Sequence, residues 1–130
     1  MDQRFGKTEK LKSKKLIDKL FAEGKSVKSF PLKLIYTHYE SEDLPELKTG
    51  VSVPKKLVKT AVKRNRIKRL MREVFRKNKY LVTKDLSSSH AFMFIYISRE
   101  EISYEKLEAS MKNVLEKFMQ KQQGHEKAHQ

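Results

Sequence analysis

Apolar residues recur along the chain with two different periods, and the switch between them marks out its elements. Leu16, Ile17, Leu20 and Phe21 are spaced as one face of a short helix. Ser13 is placed to cap its start and Gly24 to end it in a left-handed conformation. From Phe30 to Tyr39 the period becomes two, with Leu32, Leu34 and Tyr36 alternating against Lys33, Ile35 and Thr37. That stretch, rich in β-branched and aromatic residues, predicts a strand with Pro31 at its start. Residues 27–29 add either a bend or a further short strand. Glu40 to Glu46 form an acidic turn, and Lys48 to Val53 a second strand that Pro54 ends, so the two strands are able to pair as a hairpin.

The helical period then returns: Ile67, Leu70, Met71, Val74 and Phe75 stand at i, i+3, i+4, i+7 and i+8, which gathers them on one side of a helix. After the polar stretch Thr83 to Ser89, the run Phe92 to Ile97 predicts a strand buried on both faces. Ser103 caps a last helix whose face is Leu107, Met111, Val114, Leu115 and Phe118, and from about Gln120 the chain turns polar and is expected to fray. The order is α, two or three β, α, β, α. It predicts one domain over residues 1–130, an α+β or α/β sandwich on one small sheet, with a basic arm over about 1–12 and a frayed tail over about 120–130.

Charge changes this picture by its distribution. The chain of 130 residues has a formal net charge of +14, and residues 55–79 alone hold 12 basic side chains against one acidic. A second, weaker excess of 9 basic over 4 acidic lies in residues 1–28. The dense block coincides with the amphipathic helix, so it is no disordered tail. Opposite its apolar stripe lie Asn65, Lys68, Arg69, Arg72 and Arg76, and Arg64, Lys68, Arg72 and Arg76 follow one another at steps of four. Like charges at that spacing weaken an isolated helix by about 0.2–0.5 kcal/mol per pair. Only Glu73 offsets them locally, whereas an ordinary solvated face mixes signs, so the row calls for phosphates as counter-charge.

Candidate catalytic chemistry is thin. The absence of cysteine excludes thiol nucleophiles, disulfides and zinc-thiolate sites. His38, His90, His125 and His129 have no metal-ligand spacing and read as surface histidines; Glu42/Asp43 and Glu100/Glu101 read as solvated carboxylates. Four scattered glycines make no phosphate loop. No catalytic residue and no metal site is expected in the polypeptide. The longest apolar stretch, Ala91 to Ile97, is too short to span a bilayer, and no secretory-type run follows Met1 to Arg4, so a cytoplasmic protein with no membrane partner, whose charge calls for a polyanion, is expected. A helix-turn-helix DNA binder is disfavoured, since no second helix follows the basic one at a short turn.

One run of residues carries a resemblance. Gly50-Val51-Ser52-Val53-Pro54-Lys55-Lys56, seven further residues, and then Arg64-Asn65-Arg66-Ile67-Lys68-Arg69-Leu70-Met71-Arg72-Glu73 resemble the signature of the bacterial ribonuclease P protein component. Lys10 to Gly24 is similar to that family's basic arm and first helix, and the likeness extends from about residue 7 to about residue 120. The resemblance implies an α-β-β-β-α-β-α fold in which the basic helix joins two parallel strands by a left-handed crossover, against the usual hand. It implies the RNA-binding protein subunit of a ribonucleoprotein hydrolase, an endonuclease that removes the 5′ leader of precursor tRNA. The RNA subunit is then the catalyst and the main holder of Mg²⁺.

By the same resemblance Lys55, Lys56, Arg64, Asn65, Arg66, Lys68, Arg69 and Arg72, extended one turn to Arg76, contact the RNA subunit or the substrate. Arginine forks suit phosphate oxygens, while Asn65 either offers a donor and an acceptor to RNA or orients the helix. The family also has a cleft for the single-stranded leader between the first helix and the sheet. Phe21 matches an aromatic position there and Ile17 replaces a common Phe; either Lys33 with Ile35 or Leu32 with Tyr36 faces the cleft, with Tyr36 favoured as the stacking residue. The alternatives are a general RNA-binding or chaperone protein, and a polypeptide that is itself a nuclease.

Overall fold

The computed structural model describes residues 8–41 and 44–128, and side-chain surroundings within residues 10–122. These residues form β1 (Thr8–Lys10), α1 (Lys14–Glu23), β2 (Lys25–Ser29), β3 (Leu32–Tyr39), β4 (Leu47–Ser52), α2 (Ala61–Asn78), α3 (Tyr80–Thr83), β5 (Ser89–Tyr96) and α4 (Tyr104–Ala128). The strands make one mixed sheet in the order β1-β4-β5-β3-β2. β2 and β3 are a hairpin turning at Phe30 and Pro31, and β3 runs antiparallel to β5 with Tyr36 opposite Phe92. β4 and β5 are parallel neighbours, so the chain between them has to cross the sheet, and α2 is the crossover.

Alternation along each strand sorts side chains onto two unequal faces. Leu32, Leu34 and Tyr36 of β3 and Phe92, Phe94 and Tyr96 of β5 are buried on the face that α2 and α4 cover. Phe118 of α4 lies at its centre, its ring edge-on and 4.8 Å from both Tyr36 and Phe92. Burying each such ring contributes about 1.5–3 kcal/mol, so this face dominates stability. Among the described residues the other face is covered by α1, through a small cluster of Leu11, Leu20 and Ala91 with Leu16, Ile17, Ile35 and Met93 against it.

Several elements differ from the pattern's expectation. The end of the supposed arm is a strand: β1 pairs in parallel with β4, Thr8 opposite Leu47, a partner that three charged or polar residues gave no way to foresee. Residues 25–29 take the strand alternative, as β2. Ser13 does cap α1, its hydroxyl accepting the Leu16 N–H at 3.2 Å. Gly24, however, is extended (φ −69°, ψ 150°) and is needed for space, since a Cβ there would stand 2.2 Å from the Leu20 carbonyl oxygen and 2.8 Å from Ile35 Cγ2. α4 continues to Ala128 through the segment expected to fray, which is rich in the good helix formers Gln, Lys and Glu. His90 is not a surface residue but is 4% exposed beside Phe118, and burial lowers its pKa below the ordinary 6.5.

Candidate nucleic-acid interface

The basic helix is held by its apolar side. Ile67, Met71, Val74 and Phe75 are buried against β4, β5 and α4, and Asn78 ties the seam by donating to the Val74 carbonyl at 2.7 Å and to Glu108 at 3.3 Å. That orientation leaves Asn65, Arg66, Arg69, Arg72 and Arg76 exposed and Arg64 and Lys68 half-buried along the outer side. The helix begins without an acidic residue in its first turn and without a side-chain bond from its N-cap, Thr60. Its first N–H groups therefore add positive potential where Lys55, Lys56 and Lys59 are exposed.

The cations of this surface fall into two kinds. Arg64 donates from Nη1 to the carbonyls of Val58 and Lys59, at 3.0 and 2.9 Å, and so pins the turn that carries Lys55 and Lys56 to the first turn of α2. Arg66 pairs with Glu101 at 3.0 Å, and Arg76 grips Glu73 with two bonds of 2.8 and 3.1 Å. The Arg76 guanidinium holds the Glu73 carboxyl below the usual carboxylate range. Lys68, Arg69, Arg72, Lys55 and Lys56 have no acidic partner among the described residues. Lys68 and Arg72 are one turn apart, an uncompensated like-charge pair within the folded chain.

Asn65 is exposed and makes no hydrogen bond among the described residues, so its amide does not serve the helix. Phe21 is 57% exposed on α1 and is not a core residue. Tyr36 has to be corrected: it lies on the opposite face of the sheet from α1, 4% exposed and against Phe118, and burial raises the pKa of its hydroxyl. The two-residue period of β3 sends Leu32, Leu34 and Tyr36 together into the main core, which leaves Lys33 and Ile35 facing α1. The organising bonds of Arg64 and the Arg66–Glu101 pair had no signal in the chain's spacing. Among the described residues no group of three or more His, Cys, Asp or Glu is placed to hold a metal ion, and no helix is long and apolar enough to cross a membrane.

Comparisons with known proteins agree on one family. Its sequence model, described as Ribonuclease P, matches residues 5–119. The ribonuclease P protein component of Porphyromonas gingivalis is 34% identical over 112 residues, covering 84% of this chain and 82% of that one. That of Chlorobaculum tepidum is 35% identical over 120 residues, covering 83% and 78%. Among solved structures, the RNase P protein from Thermotoga maritima superposes with a TM-score of 0.66 at 24% identity, over 84% of this chain and 96% of that one. The RNase P protein of Staphylococcus aureus gives 0.65 at 23%, over 82% and 92%. At such identities the structural likeness speaks for the fold.

Proposed function

Because the chain belongs to the ribonuclease P protein family, the protein components of the holoenzyme that acts in tRNA 5′ processing, we propose that it binds that enzyme's RNA subunit and precursor tRNA together in the cytoplasm. In this proposal, which rests on family membership, the RNA is the catalyst of endonucleolytic leader removal and the main holder of the Mg²⁺. The polypeptide contributes charge and position. Family membership also underlies the left hand proposed for the crossover through α2.

The observation that carries the proposal is the set of cations without an acidic partner among the described residues, Lys68, Arg69 and Arg72 on α2 together with Lys55 and Lys56 on the turn that Arg64 pins to its start. A folded chain gains nothing from leaving Lys68 and Arg72 one turn apart, whereas a phosphate between two RNAs is stabilised there by release of counterions. Arg66 and Arg76 exchange an exposed carboxylate for phosphate at little cost, because exposed pairs are weak. Exposed Phe21 is available to the leader on the α1 side, where Lys33 and Ile35 supply the sheet's part of the cleft. By neutralising phosphate repulsion the protein strengthens substrate and Mg²⁺ binding by the RNA more than it alters bond breaking.

Reconstitution tests this. With the cognate RNA subunit at low Mg²⁺, added protein is expected to raise precursor-tRNA cleavage, and the protein alone to cleave nothing. Absence of stimulation would leave a general RNA binder, and site-specific cleavage without RNA would make the polypeptide a nuclease.

A further inference from the structure

β1 is short, and what it leaves open lies beside the C-terminal half of α2. Leu11 N–H donates to the Thr49 carbonyl at 2.8 Å, and on the opposite edge of the same strand the Glu46 carbonyl accepts from His90 N–H at 3.0 Å. Backbone groups alternate edges along a strand. Residues 47, 49 and 51 therefore aim their N–H and C=O toward β1, and 46, 48, 50 and 52 toward β5. β1 pairs only as far as Lys10 with Thr49, and the chain then departs into α1. Val51 is left with an outward N–H and C=O that no backbone group among the described residues meets.

This bare pair opens on a groove of about 620 Å³, within the usual range of ligand sites, about 300–1,000 Å³. Its floor is apolar, including Phe75 and Met93, and its rim carries Lys10, Arg72, Arg76 and Lys79 with no acidic side chain among the lining residues. We propose that this groove binds one nucleotide of a single-stranded RNA, its base hydrogen-bonded to the Val51 main chain and its phosphates held by Lys10, Arg72 and Lys79. The site rests on the RNA-binding function above and adds to it a position at the β4 edge of the sheet, lined by no residue of α1 itself.

Charge and edge geometry together select the occupant. Arg76 is paired with Glu73, but Lys10, Arg72 and Lys79 have no acidic partner among the described residues and together ask for a polyanion. An extended acidic peptide would want a run of open edge positions, but β1 already occupies Leu47 and Thr49, and Pro54 follows soon after Val51. A single donor beside a single acceptor matches the edge of a base instead.

The test uses the full chain without the RNA subunit, so its result is independent of cleavage stimulation. Titration with a seven-nucleotide oligouridylate should move the Val51 amide and Met93 methyl NMR signals saturably. In a Lys10→Gln/Lys79→Gln variant, whose fold is checked by circular dichroism, the dissociation constant read from those signals should rise roughly 25-fold at 0.1 M salt, with the salt slope smaller by about 1.4. Signals that stay put while those of Phe21 or Lys55 move would overturn the groove. So would a hepta-glutamate peptide that moves Val51 and Met93 at lower concentration than the RNA.

Discussion

α2 and α4 pack side by side on the same face of the sheet, and both are amphipathic, yet their solvent sides are built differently. α4 alternates Glu105, Lys106, Glu108, Lys112, Glu116 and Lys117, so its charges neutralise one another in the manner of an ordinary surface helix. α2 carries Lys63, Arg64, Arg66, Lys68, Arg69, Arg72, Arg76 and Lys77 against one Glu73. The shared requirement is the apolar stripe; both helices meet it, and the fold asks for nothing more. Beyond what Glu73 and Glu101 neutralise, the like-charged row of α2 therefore weakens the fold unless a partner offsets it, and removing residues from the two helices should have opposite effects on folding and on binding.

The largest effect is expected in α4. Phe118→Ala removes the ring that Tyr36 and Phe92 both contact at 4.8 Å. It should destabilise the chain by about 3–5 kcal/mol in urea denaturation. A loss below about 1 kcal/mol would mean that this face is not the main core. On α2, replacing Lys68, Arg69 and Arg72 together by Gln should leave the denaturation midpoint unchanged or slightly higher, since a like-charge pair costs about 0.2–0.5 kcal/mol. RNA affinity at 0.1 M salt should fall roughly a hundredfold and the salt slope shrink by about 2, with Arg69→Ala alone giving about 0.7–0.9 of that slope. Unfolding by the triple variant, with an unchanged slope, would erase the contrast between the helices.

How legible each helix was follows from the same difference. The stripes of α2 and α4 and the alternation of β3 are local periods, and each appears in the structure on a single face. So is the charge row, which marks out the candidate interface without any tertiary contact. What stayed hidden depended on distant partners. β1 exists because β4 offers an edge, Arg66 finds Glu101 across the fold, and His90 is buried because Phe118 comes to rest against it. Tyr36 illustrates the limit most directly: the period assigns it to the same face as Leu32 and Leu34, but only the packing of α4 tells which face that is.

His90 offers a milder way to probe the α4 side. Its ring lies 5.1 Å from Phe118, and Nδ1 is 3.0 Å from the Ser88 carbonyl. Burial lowers its pKa below the ordinary 6.5, with His38 adding a smaller push in the same direction. The unfolded chain then binds a proton before the folded one does. Stability is complete above about pH 6.5 and declines as pH falls below it, with a slope of at most about 1.4 kcal/mol per pH unit until the folded form also protonates. His90→Phe should flatten the profile of unfolding midpoint between pH 7 and 5. An equal slope in the variant would assign the dependence to other groups.

Glu73 is the smallest and sharpest probe of α2, because it is the one acid within the row. Its carboxylate receives two bonds from Arg76 and is held below the usual carboxylate range. If the row exists for phosphate, this pair competes with RNA for Arg76. Glu73→Gln should then strengthen RNA binding, by at most about fivefold at 0.1 M salt, and steepen the salt slope by up to about 0.7. The wild-type chain should approach the variant's affinity as pH falls and Glu73 protonates, whereas the variant's own affinity should not respond to that group. Weaker binding by Glu73→Gln would show instead that the carboxylate holds Arg76 in the posture RNA requires, and that α2, like α4, uses its acid to order its surface.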